Sequence, residues 1–190
     1  MKNPMMVGER VYLSPVEPDD AMAFARAEAI ETDTRLYPPE RLPTSPIGFE
    51  QMARELGKST PPAAVMFAVR LKETDEWIGE MGLWHIKWVD RSAETGSFMK
   101  PGEFRGRGYG TEAKMLLLEY AFDHLHLHLI WSGVMETNKR SAAALTKQGY
   151  KPAGAVRYQT VKDGVYVGDG LYTLTREDWL AKRDERDVSP

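Results

Sequence analysis

Residues 97–122, SFMKPGEFRGRGYGTEAKMLLLEYAF, run from a strand-like segment through Gly106, Gly108 and Gly110 and into a helix. The helical half is read from its period. Ala113, Leu116, Leu117, Tyr120 and Ala121 recur at i, i+3, i+4, i+7 and i+8, which predicts an amphipathic helix from about Tyr109 to Asp123. In the strand before the corner, alternation puts Glu94, Gly96 and Phe98 on one face and Thr95, Ser97 and Met99 on the other. Glycines at a strand-to-helix turn let the backbone approach a ligand and leave the first helical N–H groups without intrahelical partners. Those donors suit an anion, through the helix field at roughly 0.3–1 kcal/mol per charge and charge-assisted hydrogen bonds of roughly 1.5–3 kcal/mol each. Arg105 and Arg107 add forked donors. The plain alternative is a tight turn that opens a helix and holds nothing.

Outward from this corner the chain orders itself into strands and helices. A short strand is expected at Glu9 to Ser14, then a helix capped by Asp19 and running through Ile30. Residues 31–62 are rich in proline around a short helix, Phe49 to Lys58, and read as an excursion that shapes a substrate entrance. Three strand signals follow, AVMFAVRL, EWIGEMGLWHIKWV and RSAETGSFMK, parted by KETDE and Asp90 as an antiparallel meander. After the helix come a strand LHLIWSGVM, a helix opening at Asn138 and closing near Gly149, and a hairpin turning at Asp163-Gly164. TREDWLAKRDERD reads as a solvated helix or frayed end. The fold class is α/β (α+β): a mixed, mostly antiparallel central sheet flanked by helices. Residues 1–190 read as one domain, with 176–190 as a C-terminal helix or tail.

Composition narrows the function. The chain has 190 residues, 42% of them hydrophobic, and a net charge of -3, which argues against a general nucleic-acid binder. It contains no cysteine, so disulfides, thiolate metal sites and a thiol acyl-enzyme are closed to it. No segment approaches the roughly 18 apolar residues of a membrane span, and the start lacks a secretion signal. These observations suggest a cytoplasmic protein.

The dinucleotide fingerprint G-x-G-x-x-G and the G-K-[ST] loop are both absent. Arg105-Gly106-Arg107-Gly108-Tyr109-Gly110, followed by Thr111-Glu112-Ala113, instead matches R-x-x-G-x-G and resembles the acetyl-coenzyme A pyrophosphate loop of the GNAT superfamily of N-acetyltransferases. GRGYGTEA, with AETG upstream and ETNKRSAAALTKQGY downstream, is similar to the RimJ/RimL branch. The resemblance implies a GNAT fold and acetyl-coenzyme A as cosubstrate. It places amides around Arg107 to Thr111 on the pyrophosphate, and the strand near Phe98 and Met99 beside the pantetheine arm. Side chains at Gly108 and Gly110 are then expected to take the space of the phosphates.

An amine attacks a thioester only when neutral, so proton removal and oxyanion stabilisation are required. An α-amino group with pKa near 8 is partly neutral already, whereas a lysine amine near 10.4 is neutral only to roughly 0.1% at pH 7.5. Glu94, fourteen positions ahead of Gly108, stands where many GNAT enzymes place a base; the alternative is a solvated glutamate paired with Arg91. Asn138 is a helix cap that, by the resemblance, also approaches the coenzyme arm. Ser141, three residues on, is the candidate donor to the leaving thiolate. Many GNAT enzymes use a tyrosine four residues beyond that point, and here it is Leu145, so the general acid stays open. Trp84 and His85 are candidates for the acceptor site.

Other signals are weaker. His126 and His128 in HLHLHL would share a strand face, yet no carboxylate follows in register, so a structural role is expected and no metal. Lys139 and Arg140 read as solvated cations, with proximity to a coenzyme phosphate as the alternative. The acceptor is expected to be a protein N-terminal amine, as in ribosomal proteins, or a polyamine or other small amine. No nucleic-acid or membrane partner is expected, and a homodimer is compatible with the sequence. A non-catalytic acyl-coenzyme A sensor on the same scaffold would need neither Glu94 nor Ser141.

Overall fold

A computed structural model describes residues 1–31, 45–56, 58–162 and 164–188. The meander forms as expected: β3 (Val65–Leu71), β4 (Trp77–Lys87) and β5 (Ser92–Met99) pair antiparallel, and β1 (Met6–Val7) and β2 (Val11–Pro15) extend the sheet beyond β3. β6 (Leu129–Met135) joins β5 in parallel, and β7 (Lys151–Lys162) and β8 (Val165–Thr175) complete eight strands in the order β1-β2-β3-β4-β5-β6-β8-β7. The parallel pair requires a crossover, which α3 (Tyr109–Glu119) supplies.

α3 buries Ala113, Leu117 and Leu118 in the main core with Val11, Leu13, Ile78 and Ile130. Its last turn widens at Tyr120–His124 into a π-helical turn that still buries Ala121 and Phe122, so the expected stripe continues past the end of the regular helix. α4 (Lys139–Lys147) and α5 (Arg176–Val188) add Leu145 and Trp179 to the same core. α5 is therefore not merely a solvated or frayed end. Trp179 is 1% exposed and stacks on Phe122 at 5.8 Å, and Arg183 pairs with Asp123 at 3.2 Å.

The opposite face carries α1 (Pro18–Ala29) and α2 (Pro46–Leu56), with Phe24 of α1 stacked on Phe49 of α2 at 4.3 Å and Ala27, Ala68, Trp77 and Phe98 clustered beneath. Glu17, not Asp19, caps α1, because Pro18 occupies the first helical position and the Glu17 N–H donates to Asp20 Oδ2 at 2.8 Å. α2 starts at Pro46 rather than Phe49; Ser45 precedes it and its hydroxyl accepts from the Gly48 N–H at 3.0 Å. The expected entrance at 31–62 lies in part, and Asp163 of the expected turn entirely, outside the described residues. Gly164 has the positive φ of +77° that such a turn requires.

β6 begins at Leu129 rather than Leu127, because the Leu127 and His128 N–H groups donate instead to Ala121 and Arg91 carbonyls at 3.0 and 2.6 Å. No helix among the described residues is long and apolar enough to cross a membrane.

Candidate active site

The pairing of β5 with β6 stops after three residue pairs, Ser92 with Leu129, Ala93 with Ile130 and Glu94 with Trp131. Beyond that point the strands part. The Ser132 hydroxyl donates to the Thr95 carbonyl at 3.1 Å, and the Thr95 hydroxyl shares a 2.9 Å hydrogen bond with the buried Tyr150 phenol, which burial pushes upward in pKa. The Met99 carbonyl accepts Nε and Nη2 of Arg105 at 2.8 and 2.6 Å. Thr95 and Met99 thus turn their carbonyls away from β4, and alternation turns the N–H and C=O of Ser97, between them, into the same gap.

Ser97, Phe98 and Met99 form one wall of an open cleft of ≈ 410 Å³. The glycine corner is the second wall and the first turns of α4 the third, and the lining includes Gly106, Gly108, Gly110 and Thr111 facing Asn138 and Ser141. Gly106 and Gly108 have φ of +78° and +85°, the left-handed region that side chains strain. Gly108 precedes the first residue of α3, and among the described residues no protein group accepts from the Gly108, Gly110 or Thr111 N–H. A row of free amides at a helix N-terminus, bordering a cleft, suits a diphosphate.

Protein neighbours give these glycines further reasons beside the expected closeness to phosphates. A Cβ at Gly106 would meet no protein atom within 4 Å, and its left-handed φ is the feature of the fold that favours glycine there. At Gly108 the Cβ would stand 3.1 Å from Arg10 Nη2, and at Gly110 it would stand 3.2 Å from Met99 Cγ. The nearest obstacles are protein atoms on the far side of the loop and on the cleft wall.

Arg105 borders the cleft, as expected, with its Nε and Nη2 engaged by protein groups. Besides the Met99 carbonyl it pairs with buried Glu31 and lies 5.9 Å from the Phe98 ring centre. Its guanidinium ties the cleft wall to the end of α1. Arg107 and Tyr109 do not line the cleft: the Arg107 carbonyl and the Tyr109 ring both face Arg10, at 3.0 and 4.9 Å.

Glu94, Trp84 and His85 stand together at the closed end of the gap, outside the cleft lining. Trp84 is the cross-strand partner of Glu94, and its indole covers Gly96, with Nε1 2.8 Å from where a Cβ would be. Glu94 pairs with His85, not Arg91: Nδ1 lies 2.9 Å from Oε2. The Glu94 side chain is 25% exposed and the His85 side chain 74%.

Asn138 caps α4, its Oδ1 accepting from the Ser141 N–H at 3.0 Å. That bond holds the first turn so that Ser141 borders the cleft. Sequence reasoning missed Ser97, Phe104, Lys147 and Gln148 as lining residues; the recurrence from Ser141 through Ala144 to Gln148 was the available signal. Arg140 borders the cleft and is exposed, which fits both readings of its charge. Among the described residues no group of His, Asp and Glu is placed to hold a metal ion.

Comparison with known proteins agrees with this geometry. Residues 10–151 match the family model described as Acetyltransferase (GNAT) domain. The chain is 34% identical over 113 residues to the Probable N-acetyltransferase YjcK of Bacillus subtilis, covering 59% of this chain and 62% of that protein. The chain thus spans about three fifths of that relative. It is 30% identical over 81 residues to the [Ribosomal protein uS5]-alanine N-acetyltransferase of Escherichia coli, 43% of this chain and 42% of the relative. Spermidine N-acetyltransferase from Vibrio cholerae, solved with CoA and spermine, superposes with a TM-score of 0.81 at 20% identity, over 91% of this chain and 99% of that one.

Proposed function

Because the chain belongs to the GNAT acetyltransferase family, we propose that it is a RimJ/RimL-like member that transfers the acetyl group of acetyl-coenzyme A directly to a primary amine. The observation that carries this reading is the cleft itself, where unpartnered amides of the glycine corner face the unpaired edge of β5. The corner receives the diphosphate. The N–H and C=O of Ser97, next to Phe98 and Met99, offer an extended amide arm the pairing a neighbouring strand would give.

The acceptor amine approaches from the α1/α2 side of the sheet, where Glu94, Trp84 and His85 lie. Glu94 takes the ammonium proton, directly or through one water, while His85 holds its second oxygen. The neutral nitrogen then bonds to the thioester carbonyl carbon; as the C–S bond breaks, the nitrogen releases its second proton and the leaving thiolate takes one up, so that an amide and a thiol form. Ser141 on the cleft wall is the candidate donor. The whole chain acts as one domain, in the cytoplasm and without a metal; sedimentation would distinguish a monomer from a homodimer.

The acceptor is a protein N-terminal amine, a reading supported by the relative named for ribosomal protein uS5. A polyamine is the second reading. It is favoured by the carboxylates on the acceptor face: Glu94 is in register with Trp131, and Met135, two positions beyond Gly133, is in register with Asp169. Asp169 Oδ1 is buried without a hydrogen-bond partner, and burial followed by the Glu136 charge pushes that carboxyl up. Thiol release from acetyl-coenzyme A against uS5-type N-terminal peptides, polyamines and amino sugars tests the proposal. Turnover with one amine class and none without acceptor is expected; no turnover with any amine, while coenzyme A still binds, would favour the sensor reading.

A further inference from the structure

Arg10 stands just before β2, far in sequence from every motif singled out above, yet it grips the glycine corner from behind. Its own N–H and that of Val11 donate to Glu112 Oε1 at 2.7 and 3.2 Å, and its Nε donates to Glu112 Oε2 at 2.9 Å. Its Nη1 donates to the Arg107 carbonyl at 3.0 Å, and the guanidinium lies over the Tyr109 ring. Arg10 and Glu112 do not border the coenzyme cleft. They line a second hollow of ≈ 490 Å³, and Gly108 and Thr111 border both spaces, so the loop is a partition between them. The arrangement is tight: a Cβ at Gly8 would stand 2.6 Å from Glu112 Oε1.

We propose that Arg10 is a positioning residue for the coenzyme loop, setting which way its peptides face and cancelling the charge of Glu112. The inference rests on the coenzyme reading of the cleft. Two physical points support it. In a trans peptide the C=O and the next N–H point in opposite directions. Fixing the Arg107 carbonyl on Arg10 therefore turns the Gly108 N–H toward the cleft. Glu112 belongs to the first turn of α3, where a carboxylate and a diphosphate compete for the same helix terminus and repel one another. Burial pushes its carboxyl up, and the Arg10 and Val11 amides with the guanidinium outweigh that and hold it below the usual range, so it carries its negative charge at neutral pH. Arg10 neutralises it from the side away from the ligand.

The test is coenzyme A binding by calorimetry to the parent, Arg10→Gln, Glu112→Gln and the double variant, with melting temperatures on the same samples and steady-state kinetics. Arg10→Gln is expected to weaken binding by roughly tenfold and to raise KM for acetyl-coenzyme A while kcat at saturation holds. Glu112→Gln removes the repelling charge and keeps an oxygen for the backbone amides; its NH2 takes the place of the acceptor of Arg10 Nε, but Arg10 stays on the Arg107 carbonyl through Nη1, so binding should not fall below that of the parent. The double variant should regain the part of the affinity lost to the uncancelled Glu112 charge, and the remainder reports the missing bond to the Arg107 carbonyl. Arg10→Gln binding like the parent, or a loss that follows the melting temperature and is not recovered in the double variant, would overturn the proposal. Failure of the parent to bind coenzyme A would instead sink the coenzyme reading on which it rests.

Discussion

His85 Nδ1 lies 2.9 Å from Glu94 Oε2, and the imidazole stacks nearly parallel, 7°, on Trp131 with ring centres 6.4 Å apart. The contact arises from a break in the β4–β5 register between Trp84 and Lys87, where His85 adopts a φ of +51° and its side chain leaves the strand's alternation. His85 therefore engages one carboxylate oxygen, Oε2, of Glu94. If Glu94 is the base, Glu94→Gln should lower kcat by roughly 10² to 10⁴-fold on a strongly basic amine. The loss should shrink on a weakly basic amine that is already neutral. His85→Ala should cost less, because the carboxylate remains. Steady-state rates on amines of graded basicity check this; an equal loss on every amine, or none, would remove Glu94 from proton transfer.

Asn138 and Ser141 share one hydrogen bond but have separable roles. Asn138→Ala removes the acceptor of the Ser141 N–H and should destabilise the fold by about 1 kcal/mol, as helix-cap losses do. Ser141→Ala leaves that backbone bond intact. If its hydroxyl protonates the thiolate, kcat should fall while the melting temperature stays put. Full turnover in Ser141→Ala would assign the proton to solvent.

Legibility in the sequence followed the range of the interaction. The β4–β5 meander and the α3 stripe are local periods, so Ala113 to Ala121 could be phased without any tertiary information. The Asn138 cap is likewise a contact over three residues. Glu17 was misread because Asp19 is the better capping type, and only the demand of Pro18 for the first helical position decides between them. Trp179 was hidden in a charged segment whose stripe becomes visible only once Phe122 is seen to receive it. The protein partners of Arg105, the Met99 carbonyl and Glu31, are not legible in the sequence because they come from a strand end and the distant end of α1. Arg10 lies 102 positions from Glu112, and no local pattern announces that pair.

Glu80 predicts a pH dependence of stability. It lies on β4 opposite Phe98, and its Oε2 is buried without a hydrogen-bond partner. Burial, then the charges of Glu28 and Asp20, push its carboxyl up to about 8. A folded-state value above the unfolded one means that the native chain holds this proton more tightly. The stability so gained is fully present below about pH 4 and is lost as pH rises through about 8. Glu80→Gln keeps the shape and removes the titration. Its melting temperature should exceed the parent's at pH 8.5, by on the order of a few kcal/mol in stability, and the two should converge near pH 4.5. Parallel curves across that window would show that Glu80 titrates normally.

Alanine substitutions at Gly106 and Gly108 separate backbone strain from the Arg10 contact. Both residues have left-handed φ, so either change should cost roughly 1–2 kcal/mol in stability. At Gly106 the new methyl meets no protein atom, whereas at Gly108 it stands 3.1 Å from Arg10 Nη2 and presses on the guanidinium. Gly108→Ala should therefore lose more coenzyme affinity than Gly106→Ala at similar melting temperature, and the excess should largely vanish in an Arg10→Gln background. Equal losses of affinity at the two glycines would mean that the bend acts through its backbone alone and that Arg10 does not set the amides facing the cleft.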